Sequence, residues 1–291
     1  MNSLCEEYAL CHTVEEALQF LTGAHGNARI VSGGSDLLLE IQQGSHPPVR
    51  LLVDVTEIEE MCALEIRDRS LFIGASVTLA RLANSPLIKQ HAQALAEAAS
   101  LMANPHVCNV ATIGGNVAHA LPAADGSISL LALDAEAEVA CMDNRRRVPL
   151  SALFKGPGES TLDPQCDLLV GFYLPVHKKG QASAFSRRIS PQGIALAILN
   201  VAIWLQRKED RVANIRIAVG PSGPVPRRMM AAEKVLIGQT PSAQVETHAL
   251  DELIKEAHFR TSIHRASTEY RRHLAEILLH EAFTKAWQRA E

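Results

Sequence analysis

The sequence predicts an α+β protein. Three observations carry that prediction. Short apolar or alternating runs of strand length recur through the chain. Segments with helical apolar spacing are gathered between and after those runs instead of alternating with them one for one. The stretch His177-Lys178-Lys179-Gly180-Gln181 reads as a hinge that divides the chain into a larger and a smaller part.

The elements follow in order. Thr13-Val14-Glu15-Glu16 has the spacing of a capping box, and Val14, Ala17, Leu18 and Leu21 continue at helical intervals. Ala28-Arg29-Ile30-Val31 is a short strand that ends at the first glycine pair. Residues 37–41 read as a helix, 44–48 as a loop and 51–55 as a buried strand. Residues 64–67 and 70–74 alternate as a hairpin turning at Asp68-Arg69. Residues 78–82 and 87–101 read as helices, and 106–111 as a β-type run before the second glycine pair. Residues 127–133 are apolar, and 135–141 alternate like an edge strand. Residues 168–174 form a strand stopped by Pro175. Past the hinge come a long apolar segment at 194–205, a strand at 212–219, a rigid turn at 220–226 and helices at 228–237 and 245–257. A last amphipathic helix places Tyr270, Leu274, Ile277, Leu278 and Phe283 on one side. Arg187-Arg188, Arg227-Arg228 and Arg271-Arg272 read locally as solvated charges.

Composition excludes several functions. The 291 residues are 47% hydrophobic and 21% charged, the balance of an ordinary globular chain. A net charge of −4 gives no electrostatic case for nucleic acid. No run approaches the roughly 18 apolar residues of a membrane span. Residues 1–7 lack the basic and apolar regions of a secretory signal, so a cytoplasmic location is expected. The six cysteines form no CxxC pair and read as free thiols, so any iron–sulfur centre belongs to another chain. The twelve histidines show no HxH or HExxH cluster, so no metal is expected on this chain.

The glycine pairs carry the chemistry. Ser32-Gly33-Gly34-Ser35-Asp36 and Thr112-Ile113-Gly114-Gly115-Asn116 each follow a run read as a strand. Paired glycines can adopt φ > 0 and turn successive backbone N–H groups into one concavity, a nest for anionic oxygen. Two nests could grip one diphosphate from both sides, which points to a large phosphate-bearing cofactor. Neither pair fits GxGxxG or GxxxxGK, so neither a Rossmann site nor a P-loop is supported. Asp125 can accept from ligand hydroxyls or cap the apolar segment that follows. His119 can act as a base or be a packed polar group.

These residues resemble a known family. Ala28-Arg29-Ile30-Val31-Ser32-Gly33-Gly34-Ser35-Asp36-Leu37 is similar to the first FAD loop of the FAD-binding subunits of molybdenum hydroxylases, the xanthine dehydrogenase and carbon monoxide dehydrogenase family. Residues 111–125 are similar to the second loop. Residues 220–236 and Ala266-Ser267-Thr268-Glu269-Tyr270-Arg271-Arg272-His273-Leu274 extend the likeness to the C-terminal part. The resemblance implies a two-part, PCMH-like FAD-binding domain over residues 1–176, split near 55–60. A smaller α+β domain of the carbon monoxide dehydrogenase flavoprotein type would follow over 181–291. Ile30, Val31, Ser32, Gly33, Gly34, Ser35, Asp36 and Leu37 would wrap the FAD diphosphate. Thr112, Ile113, Gly114, Gly115 and Asn116 would do so from the opposite side, with His119 among the contacts. Asp125 would hold hydroxyls of the FAD chain, Leu169 would pack near the cofactor, and Arg187 would sit by the isoalloxazine.

The implied activity is electron transfer from [2Fe-2S] clusters on a small partner subunit through FAD to NAD or another acceptor. The molybdenum cofactor would lie on a large subunit, in a dimer of heterotrimers. Three positions depart from the family's pattern. Cys108 and Pro191 stand where a basic residue is common, and Arg187 stands where a lysine is. These departures bear on flavin potential and acceptor. Two other readings stay open: a stand-alone FAD-dependent reductase or oxidase, and a cofactor-free scaffold subunit.

Overall fold

The structure, a computed structural model, describes residues 4–190, 196–263 and 265–291. Pro191 and the start of the apolar segment at 194–205 lie outside the described residues. The first sheet is parallel and three-stranded. It is built from β1 (Cys5–Leu10), α1 (Val14–Gly23), β2 (Ala28–Val31), α2 (Leu37–Gln43) and β3 (Val49–Asp54), with strand order β1-β3-β2. The capping box starts α1. The Glu16 N–H donates to Thr13 Oγ1 at 3.1 Å, and the Glu16 carboxylate accepts from the His12 N–H at 2.8 Å. Val14, Ala17, Leu18 and Leu21 are all buried, as their spacing predicts.

The next stretch opens with α3 (Glu59–Cys62), then the hairpin of β4 (Leu64–Arg67) and β5 (Ser70–Gly74). Asp68 and Arg69 at its turn both have positive φ, 46° and 68°. Six helices follow: α4 (Leu79–Asn84), α5 (Pro86–His91), α6 (Gln93–Leu101), α7 (Pro105–Cys108), α8 (Ile113–Ala118) and α9 (Asp125–Ala132). Strands β6 (Glu136–Ala140), β7 (Arg145–Pro149), β8 (Phe154–Gly156), β9 (Glu159–Ser160) and β10 (Leu168–Pro175) complete this stretch. The main sheet here is antiparallel, ordered β4-β5-β10-β6-β7. Its core is continuous with that of α1 and β3.

Beyond residue 180, β11 (Gln181–Ile189), β12 (Ala197–Lys208), β13 (Arg211–Gly220) and β14 (Arg227–Arg228) form a third, antiparallel sheet in that order. Helices α10 (Met230–Leu236), α11 (Ala243–Glu256) and α12 (Thr268–Arg289) share a second core with it. Phe185, Ala202 and Trp204 instead join the first core, so the C-terminal sheet is seated directly on the preceding stretch.

Several sequence expectations are corrected. Residues 106–111 hold no strand. Asn104 accepts from the Val107 N–H at 3.0 Å and Pro105 starts a short helix, α7. The helix expected over 87–101 breaks at Ala92, whose φ of −147° and ψ of 48° separate α5 from α6. Strand β6 is interior, paired with β10 on one side and β7 on the other, and its buried Glu138 lies 3.7 Å from Arg145 of β7. Tyr270 faces outward, while Leu274, Leu278 and Phe283 are buried with Ala275, Ala282 and Ala286. Arg187, Arg228 and Arg271 are not simply solvated charges: Arg187 pairs with Asp125, Arg228 with Glu233 and Asp134, and Arg271 donates to the Ile198 carbonyl.

Candidate functional site

The two glycine segments meet. A Cβ on Gly33 would collide with the Val110 carbonyl oxygen and lie 2.7 Å from Ala111 Cα. The loop after β2 therefore rests directly on the backbone entering the second pair, an approach only glycine permits. Beside this contact opens a cleft of about 380 Å³, lined by Ser32, Gly33, Ser76, Thr78, Arg81 and Thr112 among others. Ser32 Oγ donates to Ser76 Oγ at 3.2 Å, and Ser76 Oγ donates to the Val55 carbonyl at 3.1 Å. Thr78 and Thr112 face each other across an isolated β-bridge. Arg81 is fixed at the rim by a hydrogen bond from Nη1 to the Cys62 carbonyl.

The backbone donors differ between the segments. Among the described residues, no acceptor is found for the N–H groups of Ser32, Gly33, Gly34, Ser35 and Asp36. Gly34 supplies a left-handed step at φ 64°. Such a row of open donors is a nest for anionic oxygen. In the second segment the corresponding N–H groups are taken up within the fold. Neither Gly114 nor Gly115 has a positive φ; both lie in α8. The Ile113 N–H donates to the Val77 carbonyl at 3.1 Å and the Gly114 N–H to the Ala75 carbonyl at 2.8 Å. The Gly115 N–H donates to Thr112 Oγ1 at 3.3 Å and the Asn116 N–H to the Thr112 carbonyl at 3.1 Å. What this segment presents to the cleft is the Thr112 side chain, which still has its proton to donate.

Asp125 opens α9, but Ala124 holds the cap position and the Asp125 carboxylate makes no capping bond. It is 5% exposed and pairs with Arg187 Nη1 at 2.5 Å, while Asn200 Nδ2 donates to its other oxygen at 2.5 Å. Burial pushes the Asp125 carboxyl upward from its ordinary value, and the Arg187 guanidinium and Asn200 amide oppose that rise. The link to the glycine segment is Asn116, whose Oδ1 accepts from the Ser127 N–H at 3.3 Å. His119 Nε2 lies 3.8 Å from Glu40 of α2, bridging the end of α8 to the first sheet's helix. Leu169 is buried in the main core on β10, next to a register shift opposite β6. The structure thus brings Ser32, Gly33 and Thr112 to one cleft and pairs Asp125 with Arg187. His119 and Leu169 are not among the cleft's lining.

Sequence reasoning missed Ser76, Thr78, Arg81 and Asn200. Ser76 and Thr78 reach the cleft from the turn between β5 and α4 and Arg81 from α4 itself, which no local pattern connects to the glycine pairs. Asn200 carried a signal: it is a lone polar residue in the apolar run of β12, and it is fully buried.

Unmatched backbone donors, hydroxyls and one guanidinium around a cleft fit a phosphate-bearing group. Comparisons with known proteins agree. Residues 4–177 match the family described as the FAD binding domain in molybdopterin dehydrogenase, and residues 186–286 match the CO dehydrogenase flavoprotein C-terminal domain. The chain is 31% identical over 287 residues to the 6-hydroxypseudooxynicotine dehydrogenase complex subunit alpha of Paenarthrobacter nicotinovorans, covering 98% of this chain and 95% of that one. It is 27% identical over 282 residues to the xanthine dehydrogenase FAD-binding subunit of Escherichia coli O157:H7, covering 96% and 95%. The solved carbon monoxide dehydrogenase of Hydrogenophaga pseudoflava that lacks the Mo-pyranopterin moiety superposes with a TM-score of 0.91 at 27% identity, over 97% of both chains. The chain belongs to the FAD-binding-domain family of the molybdopterin dehydrogenases and is a flavoprotein subunit of an oxidoreductase.

Proposed function

We propose that this chain is the electron-transfer subunit of a molybdenum hydroxylase, holding FAD within residues 1–176 and carrying a C-terminal domain over 181–291. The observation that supports this best is the row of unmatched N–H groups at residues 32–36, the first two of which line a cleft that Thr112 and Arg81 border. Bound FAD supplies an electron carrier whose chemistry is its own; the protein holds and orients it. Residues 32–36 receive the diphosphate oxygens through backbone donors. Thr112 donates its hydroxyl from the opposite wall, and Arg81 adds positive charge at the rim. Asp125, fixed between Arg187 and Asn200, accepts from hydroxyls of the FAD chain. No side chain need act as acid or base.

The partners are a large molybdenum-cofactor subunit and a small [2Fe-2S] subunit, assembled as a dimer of heterotrimers in the cytoplasm. NAD or another acceptor takes the electrons. The six cysteines form no CxxC pair and are spread along the chain, which supports placing the clusters on a partner. No helix among the described residues is long and apolar enough to cross a membrane. The test is native purification, with the released chromophore identified and the co-purifying chains weighed. FAD near one per chain, with iron–sulfur and molybdenum subunits, is expected. A chain that stays colourless after incubation with excess FAD would overturn the reading.

A further inference from the structure

A second cavity, of about 550 Å³, lies between the residues leading into α9, the turn after β13 and the segment entering α12. It shares no lining residue with the glycine cleft. Among the described residues three arginines line it, Arg260, Arg265 and Arg271, together with His258, and no carboxylate does. None of the three guanidinium groups has an ion-pair partner among the described residues. Arg271 is 3% exposed. Its Nη1 donates to the Ile198 carbonyl, but its buried Nε has no hydrogen-bond partner. Burial, and then the positive Arg265 and Arg260, hold Arg271 below the usual arginine range.

A buried charge is ordinarily paired, because removing it from water without compensation is costly. Two acids that flank lining residues in sequence have other duties. Asp125 is taken by Arg187 and Asn200, and the Glu256 carboxylate accepts from the N–H groups of Met230 and Ala231. The missing counter-charge must come from outside the chain. Guanidinium forks match phosphate oxygens, and three of them around one cavity suit a multiply charged anion better than a single carboxylate. The remaining wall includes Leu121, Pro122, Leu196 and Pro221, and the volume exceeds what one phosphate fills. We propose that this cavity binds a phosphate-bearing ligand, with Arg260, Arg265 and Arg271 gripping the phosphoryl oxygens.

The test is calorimetric titration of the purified chain, in saturating FAD, with ADP and with inorganic pyrophosphate. The informative variant is R260E/R265E. Both positions are exposed, so it should fold, and an unchanged melting temperature checks that it does. Binding that weakens roughly tenfold or more in the variant, and falls as salt is raised, is expected. ADP binding tighter than pyrophosphate identifies a phosphate ester as the ligand class, and equal binding identifies a free polyphosphate. Absence of binding by both probes, or binding indifferent to the variant, would overturn the proposal. The arginine-dependent component is measured whether or not the chain holds FAD, so this proposal and the flavin reading fail separately.

Discussion

At Gly33-Gly34 the backbone donors find no acceptor among the described residues. At Gly114-Gly115 the donors are taken up by the carbonyls of Ala75 and Val77 and by Thr112. The same dipeptide therefore serves two purposes. In each pair the first glycine permits close approach: Gly33 to the Val110 carbonyl, and Gly114 to Ala75, whose Cβ and carbonyl oxygen would both lie 2.6 Å from an added Cβ. The second glycines differ. Gly34 takes a left-handed φ that turns the chain, whereas Gly115 is exposed and has ordinary helical geometry. The lesson is that a glycine pair marks tight backbone passage first, and becomes an anion site only where neighbouring strands leave its donors unmatched.

The largest effects should come from breaking the close approach. Gly33→Ala forces a Cβ into backbone, which cannot swing away, so a loss of about 3 kcal/mol or more in urea unfolding is expected, together with loss of FAD. Gly115→Val is the contrasting variant. Its Cβ meets only Thr112 Oγ1 at 3.3 Å, so stability should hold within about 1 kcal/mol while FAD content falls. A Gly115→Val protein with normal FAD would remove the second segment from the binding face.

Next in size is the buried pair that trails the second segment. Arg187→Met leaves the Asp125 carboxylate buried with only the Asn200 amide, and about 3–5 kcal/mol of stability should be lost. Adding Asp125→Asn should restore part of it, because the uncompensated charge is gone. Denaturant midpoints of the two variants measure this. An Arg187→Met protein as stable as its parent would mean that the pair does not anchor α9 to the C-terminal sheet.

What was legible in the sequence was local. Thr13 and Glu16 cap α1 and its four apolar positions lie within one short helix, so pattern sufficed. Asn104-Pro105 was an equally local helix start, yet Val107, Val110 and Ala111 gave the stretch a strand's composition and masked it. The glycine pairs stood out, but their division of labour depends on Ala75 and Val77, which only the fold brings near Ile113 and Gly114. Arg271 was read as exposed because an arginine pair on a helix ordinarily forms a solvated face. Its inward turn depends on the Ile198 carbonyl from another element. Glu138 alternated like an edge residue, but Arg145 lies 3.7 Å away on the adjacent strand and accounts for a buried acid.

A smaller effect tests the role left to the second segment. Thr112 caps α8 through the Gly115 N–H and presents its hydroxyl to the cleft. Thr112→Ala should cost about 1 kcal/mol of stability. It should also weaken FAD binding roughly tenfold, as expected for losing a hydrogen bond to a charged group. Thr112→Ser should restore both. If Thr112→Ala lowers stability alone, the second segment acts on FAD only by shaping the cleft.

The smallest expected effect is the sharpest check on the first segment. Its open donors belong to the backbone, so a side chain there should matter little. Ser35 Oγ donates only to the neighbouring Asp36 carboxylate, at a long 3.4 Å, and the serine does not line the cleft. Ser35→Ala should therefore change stability by no more than about 0.5 kcal/mol. FAD affinity should stay within about twofold, because backbone N–H groups form the nest. Fluorescence titration with FAD measures it. A Ser35→Ala protein that loses the cofactor would move recognition from backbone to side chain, and the contrast between the two glycine pairs would then have to be sought in their flanking residues.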